Sequence, residues 1–197
     1  MFMVPGLAAY LLAISAVLLT ALTVAGEWER GSMEQLFASP VGRLEIVLGK
    51  LLPYLALGML ELLIVVAFGA LAFGVPFHGS AAALVTIGFF FLVGMLGQGL
   101  LISVVAKNQL VATQAGALSA LLPSMLLSGM LFPIENMPEI LQFLSRVVPA
   151  RYLVHAMRGI LLKGTGLDVL WPNVLALAGL GLVIGTFSLR FVRRALD

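Results

Sequence analysis

The sequence predicts an all-α integral membrane protein with five transmembrane helices, on three observations. Hydrophobic residues make up 61% of the 197 and charged residues only 10%, where an ordinary soluble domain carries about 25%. Apolar runs recur that reach the roughly 20 residues needed to cross a hydrocarbon core about 30 Å thick. With the exception of Glu61, the charges collect between these runs and at their ends.

Five spans follow when charged and Pro/Gly-rich breaks are taken as boundaries. They run from about Pro5 to Ala25, Leu51 to Val75, Ala81 to Ala106, Leu110 to Phe132 and Leu170 to Leu189. The short Pro76-Phe77-His78-Gly79-Ser80 turn makes the second and third a membrane hairpin. An odd number of spans puts the termini on opposite sides. Seven basic residues (Arg30, Arg43, Lys50, Lys107, Arg190, Arg193 and Arg194) share one set of loops and four (Arg146, Arg151, Arg158 and Lys163) share the other. The first set is expected to be cytoplasmic, which places the C-terminus inside.

The first span begins almost at Met1 and has no basic flank to orient it. A missing upstream span accounts for that, as in a fragment, a mis-set start or a split gene. A secretory signal fits poorly, because the stretch has no positive leader and exceeds the usual 7–15-residue apolar core.

Composition excludes several classes. With no cysteine there is no disulfide framework, thiol catalysis or cysteine-ligated metal. The net charge of +2 comes from few charges of either sign, with no basic run for nucleic acid. His78 and His155 form no zinc-hydrolase motif, and no Gly-x-Ser-x-Gly occurs. A phosphate-binding loop fails at Gly49-Lys50, because Leu51 stands where Ser or Thr is required and Leu44 where the leading Gly is required. The chain is therefore expected to be neither an enzyme nor an ATP binder, with no cofactor of its own.

Two polar segments are too patterned for slack linkers. Residues 26–50 read as one or two short helices on the cytoplasmic side: Ser32 and Gln35 have capping-box spacing, Met33, Leu36 and Phe37 give an apolar face, and Ser39-Pro40 ends the turn. Such a segment either lies at the interface or docks a cytoplasmic partner. Residues 133–166 contain two amphipathic pieces. In the first, Met137, Ile140, Leu141, Leu144 and Val148 line one face; Pro149 stops it. In the second, Arg151, His155 and Arg158 form a stripe, Leu153, Val154, Met157, Ile160 and Leu161 face away, and Gly164 is the C-cap. These pieces anchor at the outer leaflet or lid a translocation path.

Small residues recur every four positions in the fourth span, at Ala112, Gly116, Ala120, Ser124 and Ser128. Such a ridge permits close helix approach, within the subunit or to a second copy. Gly181 and Gly185 repeat the signal more weakly in the last span. Glu61 is the one acid well inside a span, where a charge costs about 2.5–3.5 kcal/mol on insertion scales, so it is either a neutral packed group or a functional one.

Two blocks carry a family resemblance. Glu27-Trp28-Glu29-Arg30-Gly31-Ser32-Met33-Glu34-Gln35-Leu36-Phe37-Ala38-Ser39-Pro40, continued by residues 43–54, resembles the coupling-helix region of ABC-2 type transporter permeases of the bacterial drug-exporter branch. Residues 127–138, followed by Arg158-Gly159-Ile160-Leu161-Leu162-Lys163-Gly164, resemble that family's junction between its fifth span and its outer re-entrant helices. Order and spacing agree along essentially the whole chain.

The resemblance implies the permease subunit of an ATP-binding cassette exporter in the bacterial inner membrane. Such a subunit pairs with a second permease copy, identical or not, and with ATPase subunits that hold the ATP and Mg. Five spans here would match the family's second to sixth, with its first span and external domain absent. It implies that Glu27, Glu29, Arg30, Met33, Glu34, Leu36 and Phe37 meet the ATPase, and that the Ala112 to Ser128 ridge lies on a dimer-contact helix. The exported class would be drugs or small amphiphiles. A secondary transporter or channel using Glu61 is the alternative.

Overall fold

The computed structural model describes residues 3–32 and 42–194, and only the backbone of 43, 44 and 192–194. Among the described residues the chain is helical, with no strands. The described residues form seven α-helices in order: α1 (Met3–Glu29), α2 (Arg43–Phe73), α3 (Ala81–Ala106), α4 (Gln109–Leu126), α5 (Glu139–Ser145), α6 (Pro149–Arg158) and α7 (Leu167–Arg194), with a 3-10 turn at Ile134–Asn136 and a π turn at Gly159–Lys163. Four of the described helices, α1, α2, α3 and α7, are long and apolar enough to cross a membrane.

Glycine placement sets the packing. At Gly99 of α3 a Cβ would lie 2.6 Å from the Val17 carbonyl of α1, so these backbones touch because no side chain separates them. Gly94 meets Gly181 of α7 in the same way, at 3.7 Å, and Ser188 of α7 donates to the Gly97 carbonyl at 2.9 Å. The last span's small-residue signal is thus used inside the chain. Between α1 and α7, α3 becomes the hub, burying Ile87, Phe91, Leu92, Met95 and Leu96. By contrast α2 and α7 turn Leu60, Ile64, Phe68, Leu71, Leu175 and Leu182 outward. Broad apolar exposure of this kind suits hydrocarbon surroundings.

The predicted fourth span differs from what forms. It is helical only to Leu126, about 27 Å long at the usual rise, six residues short of Phe132. Hydropathy is blind to the cause, since Leu127, Met130, Leu131 and Phe132 are all apolar. The Ser128 hydroxyl accepts from the Met130 amide at 3.2 Å, and Gly129 adopts φ +82°, a left-handed conformation that ends helices. Lower in the same helix, Pro123 has no N–H to offer the Ser119 carbonyl four residues back. Gln98 of α3 supplies the replacement donor at 3.4 Å.

Helix α6 enters the bundle instead of lying over it. Leu153, Val154, Ala156 and Met157 are buried in one core with Ala8, Leu12 and Ala13 of α1 and Ile87 and Phe91 of α3. Proline at its first position suits a helix start. Its predicted apolar face, Leu153 through Leu161, is the buried one. The first amphipathic piece behaves differently: on α5, Ile140 is 75% exposed and Leu144 48%.

Candidate functional site

Polar side chains gather at the two ends of the bundle. At one end lie the end of α1, the start of α2, the end of α3 and the start of α4. Trp28 is its centre, packed with Val24, Val47, Leu100 and Val104, with Leu189 of α7 alongside. Glu27 of α1 pairs with Lys50 of α2. Lys107, the left-handed residue that caps α3, stacks its ammonium 4.9 Å from the Trp28 ring centre. Glu29 accepts from the Gln109 amide at 3.1 Å, beside the Asn108 side chain that caps α4 through the Val111 amide. Arg30 folds back onto the Gly26 carbonyl at 2.9 Å.

The residues implied as an ATPase contact therefore divide. Glu27 joins α1 to α2, and Glu29, itself exposed, joins α1 to α4. Ser32 donates to the Glu27 carbonyl at 3.2 Å. Met33, Glu34, Leu36 and Phe37 lie outside the described residues. What is described is a knot that joins the end of α1 to three other helix ends. The sequence hints at none of these pairings, since the partners lie 23, 79 and 80 residues apart.

The other end is held by side chains that donate to backbone carbonyls. Arg158 bonds the Gly129 carbonyl at 3.0 Å and so spans the break after α4. The two halves of the second family-like block, residues 127–138 and 158–164, meet in that bond. Arg151 donates to the Gln142 carbonyl at 3.2 Å and the Ser145 hydroxyl at 2.5 Å. Tyr152 donates to the Arg146 carbonyl at 2.8 Å. His155 lies 2.9 Å from the Asn173 amide nitrogen. Burial first, and then the charges of Lys163, Arg151 and Arg158, hold the His155 pKa below its ordinary value. The loop between α2 and α3 closes this end: His78 Nδ1 lies 3.4 Å from the Leu161 carbonyl, and a Cβ at Gly79 would meet the Ile160 carbonyl at 2.7 Å.

In the middle of the bundle Ser15 of α1 donates to Glu61 of α2 at 2.6 Å. The small-residue ridge of α4 faces α1. Ala112, Ala120 and Ser124 are at most 2% exposed, and a Cβ at Gly116 would contact Val17 and Ala21. A small ridge admits whichever helix comes nearest, and here it is the chain's own first helix. Ser128 is buried past the helix end, in the turn that stops α4.

A family profile described as "ABC-2 family transporter protein" matches residues 1–190. The chain belongs to the ABC-2 transporter family. Among its relatives is "Probable multidrug ABC transporter permease YbhS" of Escherichia coli K12, 40% identical over 194 residues, which cover 98% of this chain and 52% of the relative. "Probable multidrug ABC transporter permease YbhR" of the same strain is 34% identical over 193 residues, again 98% and 52%. "ABC transporter G family member 20" of Dictyostelium discoideum is 32% identical over 168 residues, 84% of this chain and 23% of the relative. The chain thus spans about half the length of the bacterial ABC-2 permeases it matches.

Proposed function

We propose that this chain is a transmembrane subunit of an exporter driven by ATP, with the nucleotide and Mg held on a separate ATPase and with drugs or other small amphiphiles as cargo. The names of the bacterial relatives support the permease role and the cargo class. The observation that carries the mechanism is the Trp28 knot. Residues 26–40 act as the docking segment, with Met33, Leu36 and Phe37 as its anchors and Arg30 and Glu34 setting its register. Glu27 and Glu29 act within it as tethers. A push from the ATPase reaches α2 through the Glu27–Lys50 pair and α4 through the Glu29–Gln109 bond.

The same reading makes the Trp28 end cytoplasmic, in keeping with seven of the eleven basic residues. The Arg158 end then lies outside, α5 and α6 dip into the outer leaflet, and α4 with its continuation to Phe132 completes a fifth crossing. A second permease copy packs on the outward face of α4, where Leu110, Leu118, Leu122 and Leu126 are exposed opposite the ridge that α1 fills. We read Glu61 as a packed group; the bond that it accepts from Ser15 supports that over the secondary-transporter alternative.

The test is a Leu36→Ala, Phe37→Ala double substitution in the complete transporter, with Ser80→Ala as the control. An aromatic anchor is often worth about 2 kcal/mol or more at an interface. Folded permease should be present in normal amounts, with ATPase co-purification weakened and export lost. Full co-purification and full export would overturn the docking assignment.

A further inference from the structure

A cleft of about 310 Å³ lies where α3, α4, α7 and the start of α6 converge. Met95 and Gln98 of α3 form one wall, Ser119, Pro123 and Ser124 of α4 face them, and Ile184 of α7 contributes a further side. The volume stands at the lower end of the roughly 300–1,000 Å³ of small-molecule sites. The outward leucines of α4 are not among its lining residues, so a second copy packed on that face does not use it up.

The polar groups of this cleft are unfinished. Ser124 is 2% exposed and lines it, and its hydroxyl has no hydrogen-bond partner among the described residues. A serine inside a helix often returns its proton to the carbonyl four residues back; this one does not. From the facing wall Gln98 spends one N–H on the Ser119 carbonyl, which leaves a second N–H and the amide oxygen. Ser119 donates to the Gly116 carbonyl and keeps its hydroxyl oxygen as an acceptor. Buried polar groups are nearly always satisfied, by protein or by what is bound. None of the described lining residues is charged, so an ion would enter without a counter-charge in apolar surroundings. Gln98 lies eight residues before the end of α3 at Ala106, about 12 Å along the axis. That is too deep for a phospholipid headgroup, and an acyl chain by itself leaves the amide and the hydroxyl unmet. Water suits those two groups but not the walls of Met95, Pro123 and Ile184.

We propose that this cleft binds a compact uncharged lipophile carrying one hydroxyl, carbonyl or amide. Ser124 and Gln98 hold the polar group, and Met95, Pro123 and Ile184 pack the apolar body. The site goes beyond the exporter reading and does not depend on it.

The experiment uses the full protein in phosphatidylcholine nanodiscs and three photoreactive aryl trifluoromethyl diazirines that differ only in one para group. The groups are hydroxymethyl, ethyl and aminomethyl, the last cationic at neutral pH. Labelling of the peptides that hold Met95 and Ser124 is read by mass spectrometry against probe concentration in the bilayer. The hydroxymethyl probe should half-saturate at about fivefold lower concentration than the other two, the worth of one hydrogen bond. Ser124→Ala should erase its advantage over the ethyl probe. The same change should leave the ethyl probe's labelling and the thermal unfolding of the protein as they were, because the hydroxyl holds nothing within the chain. Val147→Trp, at an exposed lining position, should weaken all three probes alike. Equal half-saturation by the hydroxymethyl and ethyl probes, or a preference unchanged in Ser124→Ala, overturns the proposal. So does labelling that never saturates, which would mean that the cleft holds only exchanging lipid chains. A lower unfolding temperature in Ser124→Ala would show that the hydroxyl serves the fold, and overturns it as well.

Discussion

The two ends of the bundle use polar side chains for opposite purposes. At the Trp28 end four helix ends meet, with caps at Lys107 and Asn108, and the polar groups link one helix to another: Glu27 to Lys50, Glu29 to the start of α4, Lys107 to Trp28. At the Arg158 end the chain leaves helical geometry inside an apolar surrounding, and polar groups replace donors that broken helices have lost. Arg158 and Arg151 serve carbonyls, and Gln98 serves the carbonyl that Pro123 releases. Links between helices carry displacement, whereas patches on broken backbone hold a shape. This bundle segregates the two uses.

The largest expected effect falls on a patch. Arg158→Leu removes the donor to the Gly129 carbonyl and leaves that carbonyl in surroundings where water does not replace it, so it should cost about 1.5–3 kcal/mol. Thermal unfolding of the purified protein measures this. Little change would mean that the turn after α4 is held by Ser128 and Gly129 alone.

Next comes the pair that joins α1 to α2 within the bundle. Glu61→Leu deprives the Ser15 hydroxyl of its acceptor and should cost about 1 kcal/mol, near the range measured for hydrogen bonds between membrane helices. Glu61→Gln keeps an acceptor and should preserve both stability and transport. Loss of transport in a well-folded Gln variant would restore a charged role to Glu61.

The Gln98 bond is long, at 3.4 Å, so Gln98→Leu should cost less, about 0.5–1 kcal/mol. Pro123→Ala gives the Ser119 carbonyl an intrahelical partner and should make the Gln98→Leu change nearly silent. A double-mutant cycle on unfolding reads that coupling. Strict additivity would show that Gln98 does not compensate for Pro123.

The smallest stability effect belongs to the linking end. Lys50 and Glu27 are 16% and 29% exposed, and removing the pair with Glu27→Gln should change stability by about 0–1 kcal/mol, less at high salt. Under the proposed coupling through this pair, export should fall more than stability does. Equal losses in both would dissolve the distinction between the two ends.

The sequence made the long elements legible because a membrane span writes itself as an unbroken apolar run. Helices α1, α2, α3 and α7 follow from such runs, and α6 from the Arg151, His155, Arg158 stripe opposite a leucine-rich face. The end of α4 was hidden, since Ser128-Gly129 sits within an apolar stretch and only turn chemistry betrays it. The small ridge from Ala112 to Ser124 was legible as a contact but not its partner, because a ridge without bulk has no chemical preference. Partners across the Trp28 knot were illegible for another reason: charge pairs between helices depend on packing that no local pattern encodes.

The contact between Gly94 and Gly181 has a mechanical consequence. Most helix pairs can slide by letting side chains change rotamer, which acts as a lubricant layer. Where two backbones meet directly, and Ser188 is fastened to the Gly97 carbonyl one turn away, no such layer exists. Helices α3 and α7 therefore travel as one beam, and any cycle that opens this protein must flex at joints elsewhere.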